Sequence, residues 1–256
     1  MIKLQQLLST INQDANRQEN RRAFRVPILD TLVPEGLSVP CTLLIAAEVG
    51  TQSEFLSNEI VRHHLASNPK AKVLWFSLEN FVSDLRARID DSMVMSENQI
   101  EFIDCYSSQI GVKSAEHYSA DPSNLPNLGV VTSTAISEMR DNSSLVVLDS
   151  LTSLIQNVGV RCSTAFFKWL IAKARVIRAD ILTTLNRRAF SERTLATYID
   201  IADAVLELAM DDEHSTNKIR IRKAQDVKHI RSWLPYEIDF YQRLLRCEIV
   251  KTAGVE

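Results

Sequence analysis

Four strand-like runs, Thr42–Ala46, Val73–Leu78, Ser144–Leu148 and Asp180–Leu185, recur along the chain with helical patterns between them. A mostly parallel sheet covered by helices on both faces buries such runs best, because strands hidden on both sides read as continuous apolar stretches rather than alternating ones. Val73–Leu78 is almost wholly apolar and predicts a central strand. A helix over Val82–Ile89 follows it, with Asn80 or Ser83 as its cap. Ile100–Tyr106 reads as a further strand, and the turn Asp121-Pro-Ser-Asn-Leu-Pro opens a helix that runs to about Met139. Thr164–Arg178 carries apolar residues at helical spacing. From about Ala202 the pattern changes. Ala204–Met210, Lys218–Lys223 and Trp233–Ile238 alternate as short strands about the charged turn Asp211–Asn217, which predicts an antiparallel extension.

At 256 residues the chain is long enough for one large α/β domain with small extensions. Residues 1–26 read as an N-terminal helix (apolar Ile2, Leu4, Leu7, Leu8, Ile11) and a polar linker whose Arg17, Arg21, Arg22 and Arg25 form a solvated face. Residues 27–245 are the core domain and 246–256 a tail. A formal charge of −3 gives no global reason to bind nucleic acid. Cys41, Cys105, Cys162 and Cys247 are far apart, with no metal-ligand spacing, and read as reduced, mostly buried thiols. No metal is expected. No apolar run reaches the ~18 residues a membrane span needs, and the N-terminus lacks a signal-like apolar region. The expected location is cytoplasmic.

The segment Leu43–Glu54, LLIAAEVGTQSE, stands where a strand runs into a helix. A phosphate-binding loop in that place runs through glycines and ends in Lys-Ser/Thr. Here Gly50 is present, but the lysine position is Ser53, the Mg²⁺-ligand position is Glu54, and the flanking glycine positions are Ala47 and Gln52. Only six glycines occur in the whole chain, and a cradle of backbone N–H groups around phosphate depends on glycine. Thr51-Gln-Ser-Glu54 fits instead the S/T-x-x-E capping box, in which Glu54 reaches back to the free N–H groups of the helix start. That carboxylate would stand where phosphate sits, adding about 0.5–2 kcal/mol to the helix and repelling ATP.

Taken in order, LDTLVPEGLSVPCTLLIAAEVGTQSE, VLWFSLEN, SSLVVLDSLTSL, ILTTLNRR, ADAVLEL and IRIRKAQDVKH…LPYEID resemble the KaiC-like and RadA-like branch of the RecA-superfamily P-loop ATPases, across roughly Ile28 to Asp239. The resemblance implies a RecA-like α/β fold: a mostly parallel twisted sheet flanked by helices, with a short antiparallel C-terminal extension. The family's loop reads close to GEPGTGKT. Glu48, Gly50 and Thr51 match it; both outer glycines, the lysine and the hydroxyl ligand do not. The lysine and the Mg²⁺ are the main neutralisers of a triphosphate, so hydrolysis is not expected.

By the same resemblance Glu79 takes the place of the carboxylate that orients water, and Asp149 that of the Walker-B carboxylate. Lys223 takes the place of the lysine that reaches a neighbouring subunit's γ-phosphate. Gln225 replaces the arginine that would accompany it and loses the guanidinium fork. Carboxylates at strand ends can also simply cap a neighbouring turn. The degenerate nucleotide-site set is therefore Glu48, Gly50, Thr51, Ser53, Glu54, Glu79, Asp149 and Lys223, with no catalytic residue among them.

Arg187 and Arg188 follow a strand end, and Arg220, Arg222, Lys223, Lys228, His229 and Arg231 gather in the β extension. The overall acidic balance reads these as a solvated or subunit-facing surface. His63 and His64 are adjacent on a helix, point apart and do not chelate together. The expected function is a non-catalytic pseudo-ATPase that regulates or scaffolds, assembling with itself or with an active RecA/KaiC-like paralogue. The alternatives are a switch that binds ATP or ADP without efficient hydrolysis, and a recombination accessory protein that binds single-stranded DNA. No cofactor is expected under the first reading.

Overall fold

The computed structural model describes residues 21–90, 99–139, 144–211, 216–239 and 244–247. The expected helix over residues 2–13, Arg17, and most of the expected tail lie outside them. The chain builds a ten-stranded sheet and a separate two-stranded one. The strands of the large sheet are β3 (Thr42–Ala47), β4 (Lys72–Ser77), β5 (Ile100–Asp104), β6 (Tyr118–Ser119), β7 (Ser144–Leu148), β8 (Asp180–Asn186), β9 (Ala204–Asp211), β10 (Thr216–Ala224), β11 (Leu234–Asp239) and β12 (Leu244–Cys247). Their spatial order is β12-β11-β10-β9-β3-β8-β7-β4-β5-β6, parallel from β9 to β6 and antiparallel from β9 to β12.

All residues of β3 and β7 are buried, which is why these segments carry unbroken apolar runs. Side chains alternate across the sheet. Leu43, Ile45, Val73, Trp75 and Val147 enter one core, which is covered by α1 (Pro27–Leu32), α2 (Ser53–Ser67) and α3 (Val82–Asp90). Leu44, Ala46, Leu74, Phe76 and Val146 enter the other, which is covered by α5 (Leu125–Glu138), α6 (Leu151–Val176) and α7 (Glu192–Ile201). A one-turn helix, α4 (Tyr106–Gln109), ends the strand expected to run to Tyr106.

Two expectations need correcting, and one helix was not anticipated. Ala204–Met210 is not part of the antiparallel extension alone, because β9 pairs in parallel with β3 and sits inside the sheet, its residues Ala204 to Ala209 all buried. The helix expected over Thr164–Arg178 begins at Leu151, where the Ser150 hydroxyl accepts the Ser153 N–H, and Gly159 breaks it with φ 77° and ψ 163°. Helix α7, capped by Ser191, had no counterpart in the apolar pattern.

The polar linker is also not simply solvated. Arg21–Arg22 (β1) pairs antiparallel with Leu37–Ser38 (β2). Arg21 forms an ion pair with Glu35, and Arg22 one with Asp180 at 2.6 Å. At the other end β12 straddles the expected start of the tail. Cys41 and Cys105 are buried and Cys162 exposed. Among the described residues no helix is long and apolar enough to cross a membrane.

Candidate functional site

The β3–α2 loop is held shut from within. The Glu48 N–H donates to the Leu208 carbonyl at 3.0 Å. Its carboxylate accepts the Met210 N–H at 3.2 Å from β9 and lies 3.0 Å from Arg188 and 3.8 Å from Arg187, just past β8. Burial pushes the Glu48 pKa up, but the Arg188 and Met210 hydrogen bonds and the two arginine charges outweigh it, and the net shift is downward. Glu48 is thus a fixed anion tying β9 to the end of β8. Arg187 and Arg188 lend their charge to that tie, Arg188 from a largely exposed position.

Gly50 turns at φ 89°, and a Cβ there would come within 3.2 Å of the Met210 sulfur. Thr51 has no exposed surface. Its hydroxyl donates to the Glu48 carbonyl at 2.7 Å, and its own carbonyl accepts the Tyr236 hydroxyl from β11. Tyr236 is 2% exposed, and burial raises its pKa strongly. The LPYEID segment that contains Tyr236 is part of the family resemblance, but nothing in the sequence shows that its hydroxyl reaches the β3–α2 loop.

The capping box does not form. Gln52 stands at the N-cap in a left-handed conformation (φ 57°, ψ 40°) with no side-chain cap bond. Glu54 is then the second helical residue rather than the third, one place out of register for the box. The Thr51 hydroxyl is occupied at Glu48, and Glu54 turns outward to Arg88 at 2.9 Å. Both partners of that pair are well exposed (64% and 45%), which leaves it worth about 0–1 kcal/mol. Ser53 only opens the helix, its carbonyl accepting the Ser57 hydroxyl. The side-chain cap expected for α3 is not made: the Phe81 carbonyl accepts the Asp84 and Leu85 N–H groups, while Asn80 meets Arg88 and the Ser83 hydroxyl meets Asp84.

Glu54, Glu79, Asp149 and Arg88 line a cavity of about 30 Å³ between α2, α3 and the ends of β4, β7 and β8. That is room for one or two waters. Glu79 accepts the Ser153 hydroxyl at 2.6 Å, tying the first turn of α6 to the end of β4. Asp149 Oδ1 accepts the Leu78 N–H at 2.9 Å, and its Oδ2 is buried. Burial raises the Asp149 pKa to about 8; the Leu78 N–H opposes the rise, Glu79 adds to it, the Trp75 indole opposes it and Glu54 adds to it. Among the described residues no group of three or more His, Cys, Asp or Glu side chains could hold a metal ion.

Within the chain, Lys223 points to the end of α7. Its Nζ donates to the carbonyls of Ile199, Asp200 and Ala202 at 3.0, 3.0 and 2.7 Å, capping the C-terminus of α7. An ammonium against the last carbonyls of a helix satisfies them and complements the helix dipole. Lys223→Met should cost about 2 kcal/mol, the scale of charged hydrogen bonds. Urea unfolding would show it as a lower midpoint at constant m. An unchanged midpoint would mean that the ammonium does not cap the helix.

The eight residues therefore divide into three groups. Glu48, Gly50 and Thr51 build the closed loop; Glu54, Glu79 and Asp149 surround the small cavity, with Ser53 at the helix start between them; Lys223 is a helix cap elsewhere. A family model described as "Family of unknown function (DUF7504)" matches residues 40–208. No curated protein matches. Among solved structures, a KaiC-like protein from the hyperthermophilic archaeon Pyrococcus horikoshii superposes with a TM-score of 0.67 at 20% identity, over 89% of this chain and 98% of that one. At that identity the likeness establishes the RecA-like fold.

Proposed function

The chain belongs to the DUF7504 family of unknown function, and we propose that it is a catalytically inactive, KaiC-like RecA-fold protein acting as a regulatory or scaffolding subunit through protein–protein assembly. The observation that carries this reading is the closed loop. The loop's Glu48 and Thr51 are both engaged inside the chain: Glu48 with Met210 and Arg188, Thr51 with Glu48 and Tyr236. The residues present do not suit a magnesium triphosphate. Ser53 offers no charge to the phosphates, Glu54 adds a negative one, and the space beside Asp149 is about 30 Å³. The same points weigh against a nucleotide switch. What the chain offers a partner is an α/β body whose loop is braced from within. The inferred partner is a second copy or an active paralogue.

A thermal-shift and light-scattering pair tests this. A ligand present at 100 times its Kd would add about 2.7 kcal/mol to stability, so ATP with Mg²⁺ is expected to leave the melting temperature where it was. Mass in solution, alone or with an active paralogue, is expected to exceed a monomer and to ignore ATP. A clear ATP-dependent rise in melting temperature would favour the switch instead. The double change Ser53→Lys with Glu54→Thr is expected not to restore binding, because Glu48, Thr51 and Tyr236 still hold the loop shut.

A further inference from the structure

A second, larger cavity opens at the end of the sheet remote from the β3–α2 loop, where β3, β7 and β8 begin. It holds about 140 Å³, close to the ~150 Å³ that accepts a benzene molecule in an engineered apolar core. Leu43, Leu145 and Leu182 from the strands and Ile60 from α2 form its floor, each between 1% and 7% exposed. All four belong to the core covered by α1, α2 and α3, so the chamber is a recess of the packed interior. One wall is fixed by Asp180, which accepts the Cys41 N–H at 2.8 Å and the Arg22 guanidinium at 2.6 Å. Gly36, at φ 71°, holds that wall close: a Cβ there would come within 2.5 Å of the Arg22 carbonyl.

Among the described residues the charges around this chamber balance. Arg22 is matched by Asp180. Arg25 at the mouth is offset by the Asp30 carboxylate, which accepts the backbone N–H groups of Phe24 and Arg25 at 2.9 and 3.2 Å. On α2, Arg62 is matched by Glu59 at 2.5 Å. His63 lines the cavity beside them. Burial and Arg62 lower its pKa, Glu59 and Asp30 oppose the fall, Arg25 adds to it, and the imidazole stays neutral near pH 7. An ion entering here would find no net opposite charge and would give up hydration against an apolar floor, a loss that a neutral molecule avoids. Apolar walls with a few placed polar groups are how proteins take up small organic ligands.

We propose that this cavity binds a neutral small molecule with a single-ring-sized apolar body, its ring on Ile60, Leu145 and Leu182 and its polar group at the mouth. The site is independent of the β3–α2 loop and of any role for it. Isothermal titration of the full chain at pH 7 with benzyl alcohol, and with benzoate and benzylammonium as ions of similar size and opposite sign, tests it. Benzyl alcohol should give saturable heat and bind at least about tenfold more tightly than either ion, a difference of about 1.4 kcal/mol. Ile60→Trp should abolish the binding by filling the chamber. If that variant fails to fold, Ser67→Phe at the partly buried mouth should weaken the alcohol at least about tenfold. Absence of saturable heat with benzyl alcohol overturns the proposal, as does binding untouched by the filling variant. An ion of either sign that binds as tightly as the alcohol overturns it too, because the chamber would then select charge rather than a neutral ring.

Discussion

Asp149→Asn is expected to make the protein more stable than its parent, by a margin that is nil near pH 4 and grows to about 4 kcal/mol at pH 7. The folded-state pKa of Asp149 is raised to about 8 from an ordinary value of 3.8. A group raised in this way contributes stability that is fully present below its unfolded pKa and is lost as pH rises through its folded pKa. The unfolded chain releases the proton from about pH 4 upward, while the folded chain keeps it until about pH 8, so folding is penalised across that window. Asparagine carries no proton to lose and can keep the Leu78 N–H bond through its own Oδ1, so the penalty disappears. Chemical denaturation of both proteins from pH 4 to 9 gives the difference directly. A margin that stays constant with pH would show that Asp149 is ionised in the fold, and would return it to the pool of usable cation ligands.

The strands were legible because they are buried on both faces. Ser144–Leu148 matches to the residue, and Thr42–Ala46 and Val73–Leu78 to within one. Helix α7 was not, because its buried residues are only Leu195, Tyr198 and Ile199 among ten, too few to set a period against the polar remainder. The loop's departure from phosphate-binding chemistry was visible at Ser53 and Glu54, since it lies in residue type. The failure of the capping box was not, because it turns on Gln52 adopting a left-handed backbone that glutamine rarely visits. Nor could the sequence show what Lys223 touches. A bulge between Ile221 and Lys223 shifts the β9–β10 register by one residue, and bulges re-aim side chains. That shift sends the Nζ to the end of α7. Tyr236, 185 positions from Thr51, closes the loop through a contact that only the folded sheet creates.

Glu207→Ala is the second large effect expected, a loss of about 3 kcal/mol. Glu207 lies on β9 with no exposed side-chain surface, 2.7 Å from Arg220 Nε and 2.6 Å from Arg222 on β10. Burial raises its pKa, but the hydrogen bonds from Arg222 and Arg220 prevail and the net shift is downward. Its contribution is therefore present above the ordinary glutamate pKa and fades as pH falls, opposite in sign to that of Asp149. Truncation leaves two guanidinium groups facing a void. The triple change of Glu207, Arg220 and Arg222 to Met should recover most of the loss, because a buried ion cluster is weak net stabilisation that becomes costly only when half is removed. The same residue decides whether the extension is a basic surface at all. With Glu207 in place, Arg220 is spent on it and on the Trp233 ring at 4.4 Å, and the parent should bind single-stranded DNA without a steep salt dependence. In Glu207→Ala two freed arginines join Lys228 and Arg231, and a negative slope of log affinity against log salt should appear. A parent that already shows that slope would favour the DNA-binding reading over the scaffold.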